Sequence, residues 1–359
     1  MFKHKTIIIY SNPFLMDKYA NRGLSGLANL GNSCYLNSCM QVLSHTYEFN
    51  DFLNSGDYKK RLKKVADSII LLEWDKLREL LWSTNCTVAP HGFVKNIRKI
   101  AQIKKRDIFT GYDQNDVQEF LLFMIDSFHN ALSREVDMVI NGNLQNETDK
   151  LAVTCYTMMQ NMYKKEYSEI LKIFYGIHVS EIISNTTNKT LSARPEPFSV
   201  LSLSIPTKNK IPSLYDCFDL YCEPEVLSHA NGNAWFNDET NQKEDVQRKI
   251  SFWSLPNVLI IDLKRWNIMN LNKNHGRIDI PLHNADFSKY VKGYNPHAYV
   301  YDLYAVCNHG GNSRGGHYTS YIKNANGKWY QFNDTAVNEI KEEQVITPQS
   351  YCLFYRKKR

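Results

Sequence analysis

The apolar residues of this chain change their spacing once, near residue 176, and that change limits the fold more than any other feature. Before it, from about residue 24, apolar positions recur three or four apart, the period of a helix with one buried face. The clearest stretch runs from Asp113 to Asn130, where Val117, Phe120, Leu121, Met124 and Phe128 share a face. Asp113 is expected to cap this helix, and Asp116 and Glu119 suit the positive end of its dipole. Beyond residue 176 the pattern is that of short strands, at 177–183, 198–205, 258–263, 299–307, 317–323, 329–333 and 351–355. Polar stretches at 184–196, 229–247 and 267–277 read as loops or insertions. Helices first and a mostly antiparallel sheet second make an α+β layout rather than alternating βαβ units.

At 359 residues the chain is long enough for two domains, or for one large domain with lobes. Residues 1–22 read as an N-terminal extension, with a short strand at 7–10 before the Asn12-Pro13 turn, and 23–359 as the main domain. No apolar run approaches the roughly 20 residues that span a bilayer, and no secretory signal opens the chain. An intracellular protein, cytoplasmic or nuclear, with no membrane partner is expected. Net charge is a mild +6. The densest basic run, Arg356, Lys357, Lys358 and Arg359, reads as a solvated tail, and no basic stretch is interleaved with aromatics, so no nucleic-acid partner is expected. Eight cysteines are too sparse for a disulfide scaffold and none stands in a CxxC pair. Cys217 and Cys222 have a weak metal spacing at best. Reduced thiols follow, any one of which is free to act as a nucleophile.

Cys34 is the candidate. The turn Gly26-Leu27-Ala28-Asn29-Leu30-Gly31-Asn32-Ser33 feeds a helix whose apolar positions are Leu36, Met40 and Leu43. That puts Cys34 in the first helical turn, where unpaired amides and the dipole favour the thiolate and should lower its pKa. Gly31 allows close approach of a substrate. Asn29 can turn its amide toward the same point, as a donor to the oxyanion of a tetrahedral intermediate. Taken alone, the cysteine reads as readily as a buried helix-start residue. A nucleophile also needs a base.

The segment from Tyr301 to Asp334 reads as three strands, the first two joined by a glycine-rich loop, with His317 where that loop enters the second. Asn333 and Asp334 end the third. Neighbouring strands lie about 4.8 Å apart, so either can reach and orient the imidazole. His309 is the rival base, but no acid or amide follows it at a matching position. It reads as a cleft or structural histidine.

Together these boxes resemble the ubiquitin-specific protease family of papain-like deubiquitinating cysteine proteases. Residues 26–41 match the cysteine box, with Ser33 where the family usually has Thr, and 301–334 match the histidine box. Gln114-Asn115-Asp116-Val117-Gln118-Glu119-Phe120, Glu196-Pro197-Phe198, Leu201-Ser202-Leu203, the strand 259–266 and the closing 351–355 follow the family's order. The resemblance implies a hand-shaped fold: a helical thumb over about 24–175, and an antiparallel-sheet palm with extended β fingers over about 176–359. It implies Cys34 as nucleophile, His317 as general base and acid, Asn29 as oxyanion donor, and Asn333 at the third catalytic position, with Asp334 beside it and their division of labour open. It further implies that Asp116, with Gln118 nearby, pairs with an arginine of ubiquitin's tail, although helix charging explains Asp116 equally well. Gly316, Tyr318 and His309 are expected to line the tail cleft. Ubiquitin and ubiquitinated proteins are the implied partners, and a monomer is expected.

The chain departs from the family at three points. Fingertip zinc on two CxxC pairs is common there, but neither 182–188 nor 233–241 holds a cysteine, so no metal and no cofactor is expected. Asp262 stands where a histidine is common, and Trp266 replaces the usual Phe. Cleavage after ubiquitin's C-terminal glycine is the leading expectation. The same chemistry on another ubiquitin-like modifier is an alternative, and a silent ubiquitin-binding scaffold, which usually lacks one of these catalytic residues, is another.

Overall fold

A computed structural model describes residues 17–207, 211–267, 272–312 and 315–358. The first half is helical: α1 (Cys34–Ser44), α2 (Tyr47–Asn54), α3 (Ala66–Ser83), α4 (His91–Ile103), α5 (Val117–Leu132), α6 (Glu147–Glu166) and α7 (Glu169–Phe174), interrupted by the two-residue strands β1 (Gly26–Leu27) and β2 (Thr87–Val88). The second half holds β3 (Gly176–Ser184), β4 (Thr190–Phe198), β5 (Val200–Ser204), helix α8 (Leu214–Cys222), β6 (Glu225–Leu227), β7 (Trp235–Asn237), β8 (Gln242–Glu244), β9 (Val246–Ser254) and β10 (Val258–Lys264). It ends with β11 (Ala285–Asp286), β12 (Val300–Asn312), β13 (Gly315–Lys323), β14 (Trp329–Asn333), β15 (Ala336–Ile340) and β16 (Ser350–Lys357).

The palm is one sheet in the order β15-β14-β13-β12-β16-β10-β5, with β11 added to β12. Its pairings are antiparallel except β10 against β5. The fingers are the sheet β4-β3-β9-β6, beside the separate hairpin β7-β8. Thumb helices cover one palm face, where Met40, Phe120, Met124 and Phe128 meet Cys307, Tyr318, Phe332 and Phe354. On the other face α8 and residues 278–301 bury Phe218, Ile261, Phe287, Leu353 and Tyr355. Strand β10 therefore has apolar neighbours on both sides, and a continuous apolar run suits it. All eleven residues of α1 are buried, which is why this helix lacks the polar stripe of a surface helix.

Several expectations are corrected. The helix read from Asp113 to Asn130 is α5, and its cap is Asp116, whose carboxylate accepts from the Gln118 amide at 2.7 Å. Asp113 lies in the loop before it. The stretch 184–196 is largely strand, because β4 pairs with β3 along the finger edge. The basic run is no solvated tail: Arg356 sits in β16, donates to Glu48 Oε1 at 2.7 Å and to the His45 carbonyl at 3.0 Å, and stacks on Tyr47 and Tyr304. Lys357 stacks on Tyr299, while Arg359 lies outside the described residues. The strand read at 7–10 also lies outside them. Residues 17–22, read as extension, pack on the thumb: Tyr19 is buried, stacks on Tyr47 and donates to Asp51, so ordered packing starts before residue 23.

Candidate active site

Three stretches far apart in sequence meet at the N-terminus of α1. The turn before Cys34 is built by Asn29, whose Oδ1 accepts from the Gly31 and Ser33 amides at 3.1 and 3.2 Å. Gly31 and Asn32 take positive φ, +91° and +50°, which lets the chain turn sharply into the helix. Cys34 is 4% exposed. Burial raises its thiol pKa above the ordinary value, and the backbone N–H groups of Tyr318 and Tyr35 pull it back without reversing the sign. The lowering expected from the helix dipole alone is thus corrected. Desolvation of the charged form outweighs it in the free protein.

The Tyr318 amide that faces the thiol belongs to the residue after His317. His317 lies in β13, and its Nε2 is 2.7 Å from Asn333 Oδ1 at the end of β14. An amide oxygen can only accept, so Nε2 donates in this pair and Nδ1 is the ring nitrogen left for another partner. Asp334 does a different job. Its carboxylate accepts from Asn29 Nδ2 at 3.0 Å and Asn37 Nδ2 at 2.7 Å, and its carbonyl accepts from the Leu27 amide at 2.8 Å. Asp334 therefore fastens the turn before Cys34 and α1 to the palm, while Asn333, of the two, touches the imidazole. One hydrogen of the Asn29 amide is committed to Asp334.

The glycine-rich loop expected before His317 is in fact ladder. Gly310 pairs with His317, Gly311 with Gly316 and Asn312 with Gly315. Glycine is required at 316: a Cβ there would lie 2.1 Å from His309 Nε2 and 2.6 Å from the Gly310 carbonyl. His309 is 5% exposed, packs on Tyr318 with ring centroids 4.6 Å apart, and receives the Lys273 ammonium on Nδ1 at 2.7 Å. Burial first and Lys273 second push its pKa down to about 4, so it stays neutral. Burial likewise brings Lys273 down to about 8.

Across the cleft, Asp116 Oδ2 accepts from the Tyr351 hydroxyl at 2.6 Å and the Tyr318 hydroxyl at 3.3 Å. Burial, then the Asp116 charge, raises both phenols. Gln118 contributes its backbone amide to Asp116. Gln114 spans thumb and palm: its Oε1 accepts from the Gly316 amide at 2.8 Å and its Nε2 donates to the Gly316 carbonyl at 3.0 Å. Sequence reasoning gave no role to Gln114, Asn37, Lys273 or Tyr351. Gln114 and Tyr351 stood inside matched motifs, whereas nothing local marks Asn37 or Lys273. The positions of the family's fingertip zinc hold the end of β3 and the β7-β8 hairpin without a thiol. Among the described residues no group of three or more His, Cys, Asp or Glu is placed to hold a metal ion, so the donors present do not fit that zinc.

The chain is similar to known proteins over most of its length. The sequence profile described as ubiquitin carboxyl-terminal hydrolase matches residues 25–355. The chain is 32% identical over 351 residues to ubiquitin carboxyl-terminal hydrolase 2 of Bos taurus and of Homo sapiens, across 95% of this chain and 56% of each relative. It therefore spans a little over half the length of those relatives. A probable ubiquitin carboxyl-terminal hydrolase of Acanthamoeba polyphaga mimivirus is 27% identical over 93% of this chain and 90% of its own. Among solved structures, a chain of the SAGA Ubp8/Sgf11/Sus1/Sgf73 DUB module bound to ubiquitin aldehyde superposes with a TM-score of 0.72 at 25% identity, covering 95% of this chain and 71% of that one.

Proposed function

The chain belongs to the ubiquitin carboxyl-terminal hydrolase family, and from that membership and the site geometry we propose that it is a cysteine-type deubiquitinase, cleaving the amide or isopeptide bond after ubiquitin's C-terminal glycine. The observation that carries the proposal is the His317–Asn333 pair, on a strand whose next backbone amide faces the Cys34 thiol. His317 Nδ1 takes the thiol proton as Cys34 attacks the glycine carbonyl, and the second Asn29 amide hydrogen serves the oxyanion. His317 then protonates the departing amine, leaving ubiquitin as a thioester on Cys34. Water, deprotonated by His317, attacks the thioester carbonyl, and the proton returns to the thiolate. The buried thiol suits an enzyme whose nucleophile ionises only when the imidazole takes its proton. Ubiquitin aldehyde and monoubiquitin bound to the similar SAGA module chains support ubiquitin as the partner.

In this reading Asp116, already a hydrogen-bond hub, receives the tail arginine in a charge-assisted pair, with Gln118, Tyr318, Gly316 and His309 around it. The test is hydrolysis of ubiquitin carrying a fluorogenic amide at its C-terminus, by the wild type and by Cys34→Ala. Release by the wild type alone supports the proposal. Ubiquitin binding without release would point to a scaffold, and the absence of both to another modifier.

A further inference from the structure

From His91 to Arg106 the chain carries Lys95, Arg98, Lys99, Lys104, Lys105 and Arg106 and no carboxylate. Lys104 is held by Asp67, but the other five make no ion pair among the described residues. The first acids beyond are Asp107 and Asp113, in the loop after the helix. On α4, Phe93, Val94, Ile97, Ile100 and Ala101 are buried, which leaves Lys95, Arg98 and Lys99 together on the outer face, three and four residues apart.

This face reaches the active site. The Arg98 guanidinium lies 3.8 Å from the centroid of the Tyr112 ring, which is 65% exposed. The Tyr112 carbonyl accepts from Asn32 Nδ2 at 2.9 Å, and a Cβ on Gly31 would touch the Tyr112 ring at 3.4 Å. Gly31 and Asn32 form the turn that presents Cys34. Two and four residues after Tyr112, Gln114 and Asp116 bridge the same segment to the palm.

We propose that the Lys95–Arg98–Lys99 face and Tyr112 bind acidic residues of the protein bearing the modified lysine, so that the leaving-group side of the site selects conjugates with acidic flanks. This rests on the hydrolase reading above. Unpaired cations concentrated on one face attract an acidic segment and repel a basic one, and an aromatic ring on a guanidinium offers a rim to pack against. A polypeptide is favoured over a nucleic acid because a single exposed ring stands here, not the series of aromatics that stacks successive bases.

The experiment uses three substrates: ubiquitin with a fluorogenic amide, and ubiquitin joined by an isopeptide bond to a lysine flanked either by Asp and Glu or by Ser and Gly. The wild type is expected to favour the acidic conjugate by roughly tenfold in kcat/KM at low salt, with the preference shrinking as ionic strength rises. Lys95→Glu with Lys99→Glu, which keeps the Arg98–Tyr112 contact in place, should abolish the preference and leave the fluorogenic rate unchanged. Lys95→Gln with Lys99→Gln, at two exposed positions that bear no packing, should lose part of it. Equal kcat/KM on both conjugates, or a preference that survives charge reversal, overturns the proposal. Duplex DNA bound by these cations, without discrimination between conjugates, also overturns it. Failure of the wild type on the fluorogenic substrate removes the hydrolase reading itself, and this inference with it.

Discussion

Asn333 and Asp334 are adjacent in sequence yet serve different partners, so their replacement separates two roles. Asn333→Ala removes the acceptor on His317 Nε2 and is expected to lower kcat by about a hundredfold or more while leaving the melting temperature near that of the wild type. Asp334→Ala acts on the fold. The buried Asn37 amide loses its acceptor, for about 1–3 kcal/mol. Thermal denaturation should show it several degrees less stable. Asp262 is a second informative residue. It is 7% exposed, one oxygen has no partner, and burial, then Asp116, raises its pKa from 3.8 to about 7. Between those values the native carboxyl holds a proton that the unfolded chain has released, so its contribution to stability falls as pH rises from about 4 to 7. Asp262→Asn should therefore gain stability over the wild type across that window, with the largest difference above pH 7. Parallel melting curves against pH would show it, and parallel curves without divergence would refute the assignment.

At the scale of the element, the β12-β13 hairpin carries His317 on a ladder too tight for side chains. Gly316→Ala would drive a methyl group into His309 and the Gly310 carbonyl, so His309 or the ladder must move. We expect loss of activity together with reduced stability, and faster backbone hydrogen exchange across 310–317. The apolar period of α5 was readable because it faces the core at helical spacing, and β16 because burial on both faces makes its apolar run continuous. Edge strand β4 was not, since Pro195 and Pro197 and an exposed polar surface erase alternation, and prolines are tolerated only where a strand edge is unpaired. Helix α8 was missed in a region of strands. It is nine residues long and announced mainly by the Ser213–Asp216 capping box.

For the whole molecule, the fingers are held by β3, β9, β4 and β6 pairing and by packing such as Phe252 against Phe198 and Tyr221, without thiols at their tips. Metal analysis of purified protein should find no stoichiometric zinc, and removal of trace metal by a chelator should leave the melting temperature unchanged. One zinc per chain would refute this. Among the described residues no helix is long and apolar enough to cross a membrane. The sequence by itself determined the helical and strand halves, the family, and the residue types at Cys34, His317 and Asn333, because local periodicity and short contiguous boxes encode them. Only the tertiary structure decided what those residues face. The sign of the Cys34 shift, the separate partners of Asn333 and Asp334, the Gln114 bridge, the buried fate of Arg356 and the approach of α4 to the turn before Cys34 all depend on contacts between distant segments. Desolvation and hydrogen bonding act through space, and no spacing along the chain carries that information.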